Sequence, residues 1–76
     1  MISQMTIYLA QTLHPDDLYG ALRESQVSLL SERSRPDGQI LEWRVESAGP
    51  RAVNLLCQSL VERELAKTVF VNRLDI

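Results

Sequence analysis

One cysteine, one histidine, three glycines and four aromatic residues in a chain of 76 exclude several kinds of chemistry at the outset. A lone cysteine makes no internal disulfide, and Cys57 falls on the apolar stripe of a helical pattern. It reads as a core thiol in a reducing, cytoplasmic compartment. The lone histidine, His14, stands beside Asp16 and Asp17, but one imidazole and two helix-start acids fall short of a ligand set, so no metal is expected. Nucleophilic catalysis fails the same way: no serine sits in an elbow motif and the only histidine precedes a helix, so no catalytic residue and no cofactor are expected. Tyr8, Tyr19, Trp43 and Phe70 are too few and too scattered for a base-stacking platform, and belong to core or interface.

Charge of one sign is missing too. The formal charge is −2, and the eight cations and ten acids are spread along the whole chain. No basic stripe results, so nucleic acid is excluded as a partner. No apolar run approaches the ~20 residues that span a bilayer, and the start lacks the basic and apolar regions of a signal peptide, so no membrane insertion is expected. A chain this short buries only about 60% of its extended surface. One domain over residues 1–76 is expected, with a partner or second copy covering part of it.

What is present is pattern. Met5–Ala10 alternates Met5, Ile7 and Leu9 with Thr6, Tyr8 and Ala10, the period of a half-buried strand. His14-Pro15-Asp16-Asp17 starts a helix, with Pro15 in the first helical position and two acids facing the positive end of the dipole. Leu18, Ala21 and Leu22 mark its buried face, and it stops near Ser25. Gln26–Arg33 reads as a second strand, apolar on both sides, which suits an edge. Ser34-Arg35-Pro36-Asp37-Gly38 is a hairpin turn by its chemistry. The third strand, Gln39–Glu46, points Leu41, Trp43 and Val45 one way and Ile40, Glu42, Arg44 and Glu46 the other. Trp43 is the expected anchor of the core.

After Ala48-Gly49, Pro50 opens a second helix, with Gly49 or Ser47 as its cap. Val53, Leu56, Cys57, Leu60 and Val61 form its apolar stripe, while Arg51, Asn54, Gln58, Glu62 and Arg63 face water, to about Glu64. Thr68–Leu74, rich in valine, closes the chain as a fourth strand. The order β-α-β-β-α-β predicts an α+β, ferredoxin-like fold: a four-stranded antiparallel sheet, order 4-1-3-2, with two helices on one face. The other face is left to solvent or a partner and holds Ile40 with either Thr6, Tyr8 and Ala10 or Met5, Ile7 and Leu9.

The segment Glu46-Ser47-Ala48-Gly49-Pro50-Arg51-Ala52-Val53-Asn54-Leu55-Leu56 resembles the strand-to-helix segment of the short acetolactate (acetohydroxyacid) synthase small subunits, which are ACT-like domains. In that family a small-residue turn, Pro-Arg, a small residue, Val, an acid or amide and Leu-Leu open the second helix. The resemblance implies a non-catalytic regulatory subunit of branched-chain amino-acid biosynthesis. Its partners would be a second copy, as a homodimer, and a large catalytic subunit that carries the thiamine diphosphate. An amino-acid effector is not implied, because Thr12-Leu13-His14-Pro15 lacks the glycine that many ACT domains place in that loop. A second resemblance of topology and last helix is to the cytosolic C-terminal domain of MgtC-type membrane proteins, which would make the chain a sensor or oligomerisation domain. A small enzyme with its site at an oligomer seam is a third alternative.

Two helix starts present unpaired N–H groups to an anion. Asp16 and Asp17 already occupy the first. The second offers Gly49, Pro50 and Arg51 with no acid nearer than Glu46, and these three are the candidate ligand-binding residues. Turn chemistry alone also accounts for them.

Overall fold

The computed structural model describes residues 1–10 and 15–74. Its elements are β1 (Ile2–Leu9), α1 (Pro15–Glu24), β2 (Ser28–Ser34), β3 (Ile40–Glu46), α2 (Pro50–Glu62) and β4 (Ala66–Arg73). The strands form one sheet in the order β2-β3-β1-β4, every neighbouring pair antiparallel. This is the predicted ferredoxin-like topology, with β2 and β4 as its edges.

Alternation decides which side of the sheet the helices cover. Met5, Ile7, Leu41, Trp43 and Val45 are buried in one cluster with Leu18, Ala21 and Leu22 of α1 and Val53, Leu56 and Leu60 of α2. Ser3 joins this buried side, and its hydroxyl finds no hydrogen-bond partner among the described residues. The even-numbered residues of β1 and β3 therefore turn to the other face, which neither α1 nor α2 covers.

Both helices end the same way, and this shifts three predicted boundaries. Gln26 takes φ 58° and Glu64 φ 60°, the left-handed conformation that glycine adopts most readily. At the first end Gln26 N–H donates to Arg23 O at 3.3 Å and Val27 N–H to Leu22 O at 3.4 Å. At the second, Glu64 N–H donates to Val61 O at 3.0 Å and Leu65 N–H to Leu60 O at 2.9 Å. These are Schellman closures, each burying the apolar residue that follows, Val27 or Leu65. Residues 26 and 27 thus finish α1, and β2 starts at Ser28 rather than Gln26; α2 stops at Glu62, short of the expected Glu64. With Leu65 already closing the helix, β4 begins at Ala66, two residues before the predicted start.

Two members of the predicted α2 stripe are corrected. Val61 is 45% exposed, and Cys57 is half-buried, packed against the core from its margin. Both lie at one side of the buried Val53–Leu56–Leu60 line, where the helix surface turns away from the sheet. In β2 the register shifts between Leu29 and Ser31. The bulge explains the apolar residues on both sides: Leu29 reaches the core, whereas Leu30 is exposed. The hairpin turn behaves as predicted, with Gly38 at φ 71° and Asp37 Oδ1 accepting Gln39 N–H at 2.9 Å.

Candidate functional site

The start of α2 is shaped by what its flanking residues do with their hydrogen bonds. Ser47 N–H donates to Met1 O at 2.9 Å and Ser47 O accepts from the Met1 amino group at 2.8 Å, tying the turn to the start of β1. The Ser47 hydroxyl donates to Gly49 O at 3.0 Å and so does not cap the helix. Gly49 is the N-cap, extended at φ −177° and ψ 180°, and offers no side-chain acceptor. Pro50 has no N–H to satisfy, and no acid occupies the first turn. The helix start is left with its N–H groups and partial positive charge turned outward.

This start faces the end of α1. Glu24, Ser25 and Gln26 on one side and Ala48, Gly49, Arg51, Ala52 and Leu55 on the other line an open groove of about 680 Å³. Two of the three predicted ligand-binding residues, Gly49 and Arg51, therefore line one groove; Pro50 is exposed and lies outside its lining. The groove is bipolar, with Arg51 and the α2 start opposite Glu24, whose carboxylate is engaged by Arg63. Its lining groups are donors, acceptors and apolar surface.

The other helix start differs as expected. Asp16 and Asp17 lie in the first turn of α1 and, with Gly20, Arg63 and Leu65, line a smaller depression of about 370 Å³. The His14 cluster and the loop Thr12-Leu13-His14 lie outside the described residues. Among the described residues no three His, Cys, Asp or Glu side chains gather as a metal site would need. The Cys57 thiol is held protonated, its pKa pushed up by burial.

Sequence reasoning missed a polar cluster at the sheet's edge. Trp43 is fully buried, as the predicted anchor should be, yet its indole N–H reaches Glu32 Oε1 at 3.1 Å, and the Tyr19 hydroxyl donates to Glu32 Oε2 at 2.6 Å. The Tyr19 and Trp43 rings stack with centroids 6.4 Å apart at 17°. The hydrogen bond to Glu32 raises the Tyr19 pKa above its usual value, with desolvation and the charges of Glu32 and Asp16 adding to it. The signal was in the hairpin: counting back from its turn puts Glu32 opposite Trp43, and that is the observed register.

No protein-family model matches the chain, and no curated protein matches it. What is established is the ferredoxin-like α+β fold. No helix among the described residues is long and apolar enough to cross a membrane.

Proposed function

We propose that this chain is a non-catalytic regulatory module that works through protein contacts, of the kind that supports a large thiamine-diphosphate enzyme of branched-chain amino-acid biosynthesis. The observation that carries the reading is the incomplete cover of the sheet. Among the described residues neither helix lies over one face of the sheet, and β2 and β4 stand at its edges, features that a protein partner matches better than a small molecule does. The segment from Glu46 to Leu56, on which the resemblance to the acetolactate synthase small subunit rests, forms a strand end, a tight turn and a helix start. That agreement of local structure supports the family reading.

Such a module acts by binding one state of its partner more tightly than another, since only differential contacts shift an equilibrium. The test is a pull-down from the source cell followed by reconstitution. Co-purification of a large thiamine-diphosphate enzyme, with a rise in its activity on adding this chain, is the expected result. A purified large enzyme that neither binds the chain nor responds to it would overturn the reading.

A further inference from the structure

We infer that β1 and β4 together form a self-complementary surface that pairs weakly with the same two strands of a second copy. The inference rests on the protein-contact reading above and names the partner for one half of the open face. Two-strand register divides that face sharply. Gln4 lies opposite Asn72, Thr6 opposite Phe70 and Tyr8 opposite Thr68, and Leu74 N–H donates to Ile2 O at 2.9 Å. None of these eight residues carries a charge. The β3 and β2 half holds Glu42, Arg44, Glu46 and Arg33, with Arg35 paired to Glu42 at 3.1 Å. Phe70 is 60% exposed although its ring meets Tyr8 edge-on at 5.7 Å, and Leu74 is 46% exposed.

A second copy fits this strip under one particular symmetry. A two-fold axis along the strands, midway between β1 and β4, lays each β1 over the other copy's β4 at the same level. Leu74 then meets Ile2, Asn72 meets Gln4, the large Phe70 ring meets the smaller Thr6, and Thr68 meets Tyr8. Apolar faces apolar and amide faces amide, each contact occurring twice, as an isologous interface requires. An axis across the strands through the centre of the strip would set Phe70 against Asn72 and leave the ring unmatched, and one moved to the level of Phe70 would leave Ile2 and Leu74 with nothing to meet. Under the favoured axis the charged β3 row falls just beyond the other copy's β4, so uncharged side chains make the centre and hydrated charges the rim. The twist of each sheet rotates the strands by about 30° without changing which ends meet. The strip is about 10 Å by 26 Å from strand spacing and rise, well short of the ~800 Å² per partner of a standard stable interface. The dimer is therefore a reversible one that forms at high concentration.

Sedimentation velocity from about 1 µM to about 500 µM, a span suited to weak complexes, tests this on wild type, Phe70→Arg and Leu55→Arg, with circular dichroism confirming the fold of each. Wild type and Leu55→Arg, changed in the groove on the helical side, should shift toward dimer with concentration. Phe70→Arg should weaken association by at least about tenfold, because the charge enters a two-fold contact twice. In a Cys57→Ser background, mixing Ile2→Cys and Leu74→Cys chains with a short bismaleimide should give crosslinked pairs of one of each, because the two stand at one level under the proposed axis and at opposite ends of the strip under an axis across the strands. Wild type that stays monomeric throughout, or association untouched by Phe70→Arg, overturns the inference. Crosslinking of Ile2→Cys chains to Tyr8→Cys chains in preference to Leu74→Cys chains overturns the proposed symmetry. Each of these results leaves binding to a large subunit to its own pull-down, so the two readings fail separately.

Discussion

Glu32 and Trp43 stand opposite each other across the β2–β3 pair, and the carboxylate takes the buried indole N–H at 3.1 Å. An exposed edge strand thus supplies the one polar partner that lets the largest core side chain be buried whole. Glu32→Ala strands that donor, and stability should fall by about 1–3 kcal/mol, the usual cost of a buried donor left unpaired. Glu32→Gln keeps an acceptor and should recover most of the loss. Denaturant unfolding followed by Trp43 fluorescence measures both; equal losses would show that acceptor geometry is not the cause.

The same carboxylate makes stability depend on alkaline pH. Tyr19 has a raised pKa in the folded chain because its hydroxyl donates to Glu32, so the folded form holds the proton longer than the unfolded chain does. That contribution is whole below the usual tyrosine value near 10 and is lost as pH climbs through the higher folded value. Unfolding midpoints should decline from about pH 10 upward, and Tyr19→Phe should flatten part of that decline. Cys57, raised by burial, adds a loss of the same sign starting near pH 9, so the comparison belongs in a Cys57→Ser background.

Two helix ends carry strain that glycine would relieve. Gln26 and Glu64 occupy left-handed backbone within Schellman closures. Gln26→Gly and Glu64→Gly should each raise stability by about 1 kcal/mol, read as a higher denaturation midpoint at unchanged slope. Alanine at either position should bring no such gain, because its Cβ meets the same steric cost.

At the start of α2 the opposite substitution should help. Gly49 is extended, a conformation open to any residue, and an added Cβ there meets nothing within 4 Å. Gly49→Asp supplies both a cap acceptor and a negative charge, and thermal unfolding should show a gain of about 0.3–1 kcal/mol that shrinks with added salt. An unchanged or lower midpoint would mean the helix start already has partners for its N–H groups.

Alternation in Met5–Ala10 and Ile40–Glu46 and the spacing of Leu18–Ala21–Leu22 and Val53–Leu56–Leu60 made the element order, the sheet order and most of the core legible in advance, while the choice of Met5 and Ile7 over Thr6 and Tyr8 for the covered face came from the structure. Where the reading slipped, the cause was local closure against pattern. Val27 looked like the start of a strand, being apolar and next to more apolar residues, but it is held by Leu22 O as the last residue of a helix cap. Val61 fitted the helical period but lies past the edge of the surface that the sheet covers. Of the candidate site, Gly49 and Arg51 were found from turn chemistry and the absence of acids, whereas their groove wall, Glu24 to Gln26, comes from the other helix and has no trace in the local sequence.

Side-chain periodicity by itself determined the fold, because which residues must leave water depends only on their order along each element. Proximity between distant segments was decided by tertiary packing. The pairing of Glu32 with Tyr19 needed α1 laid beside β2, and the meeting of the α1 end with the α2 start needed both helices on one face. The division of the open face into a charged half and an uncharged half appeared only once β4 was placed beside β1, since Phe70, Asn72 and Leu74 gain their neighbours from a strand more than 60 residues away.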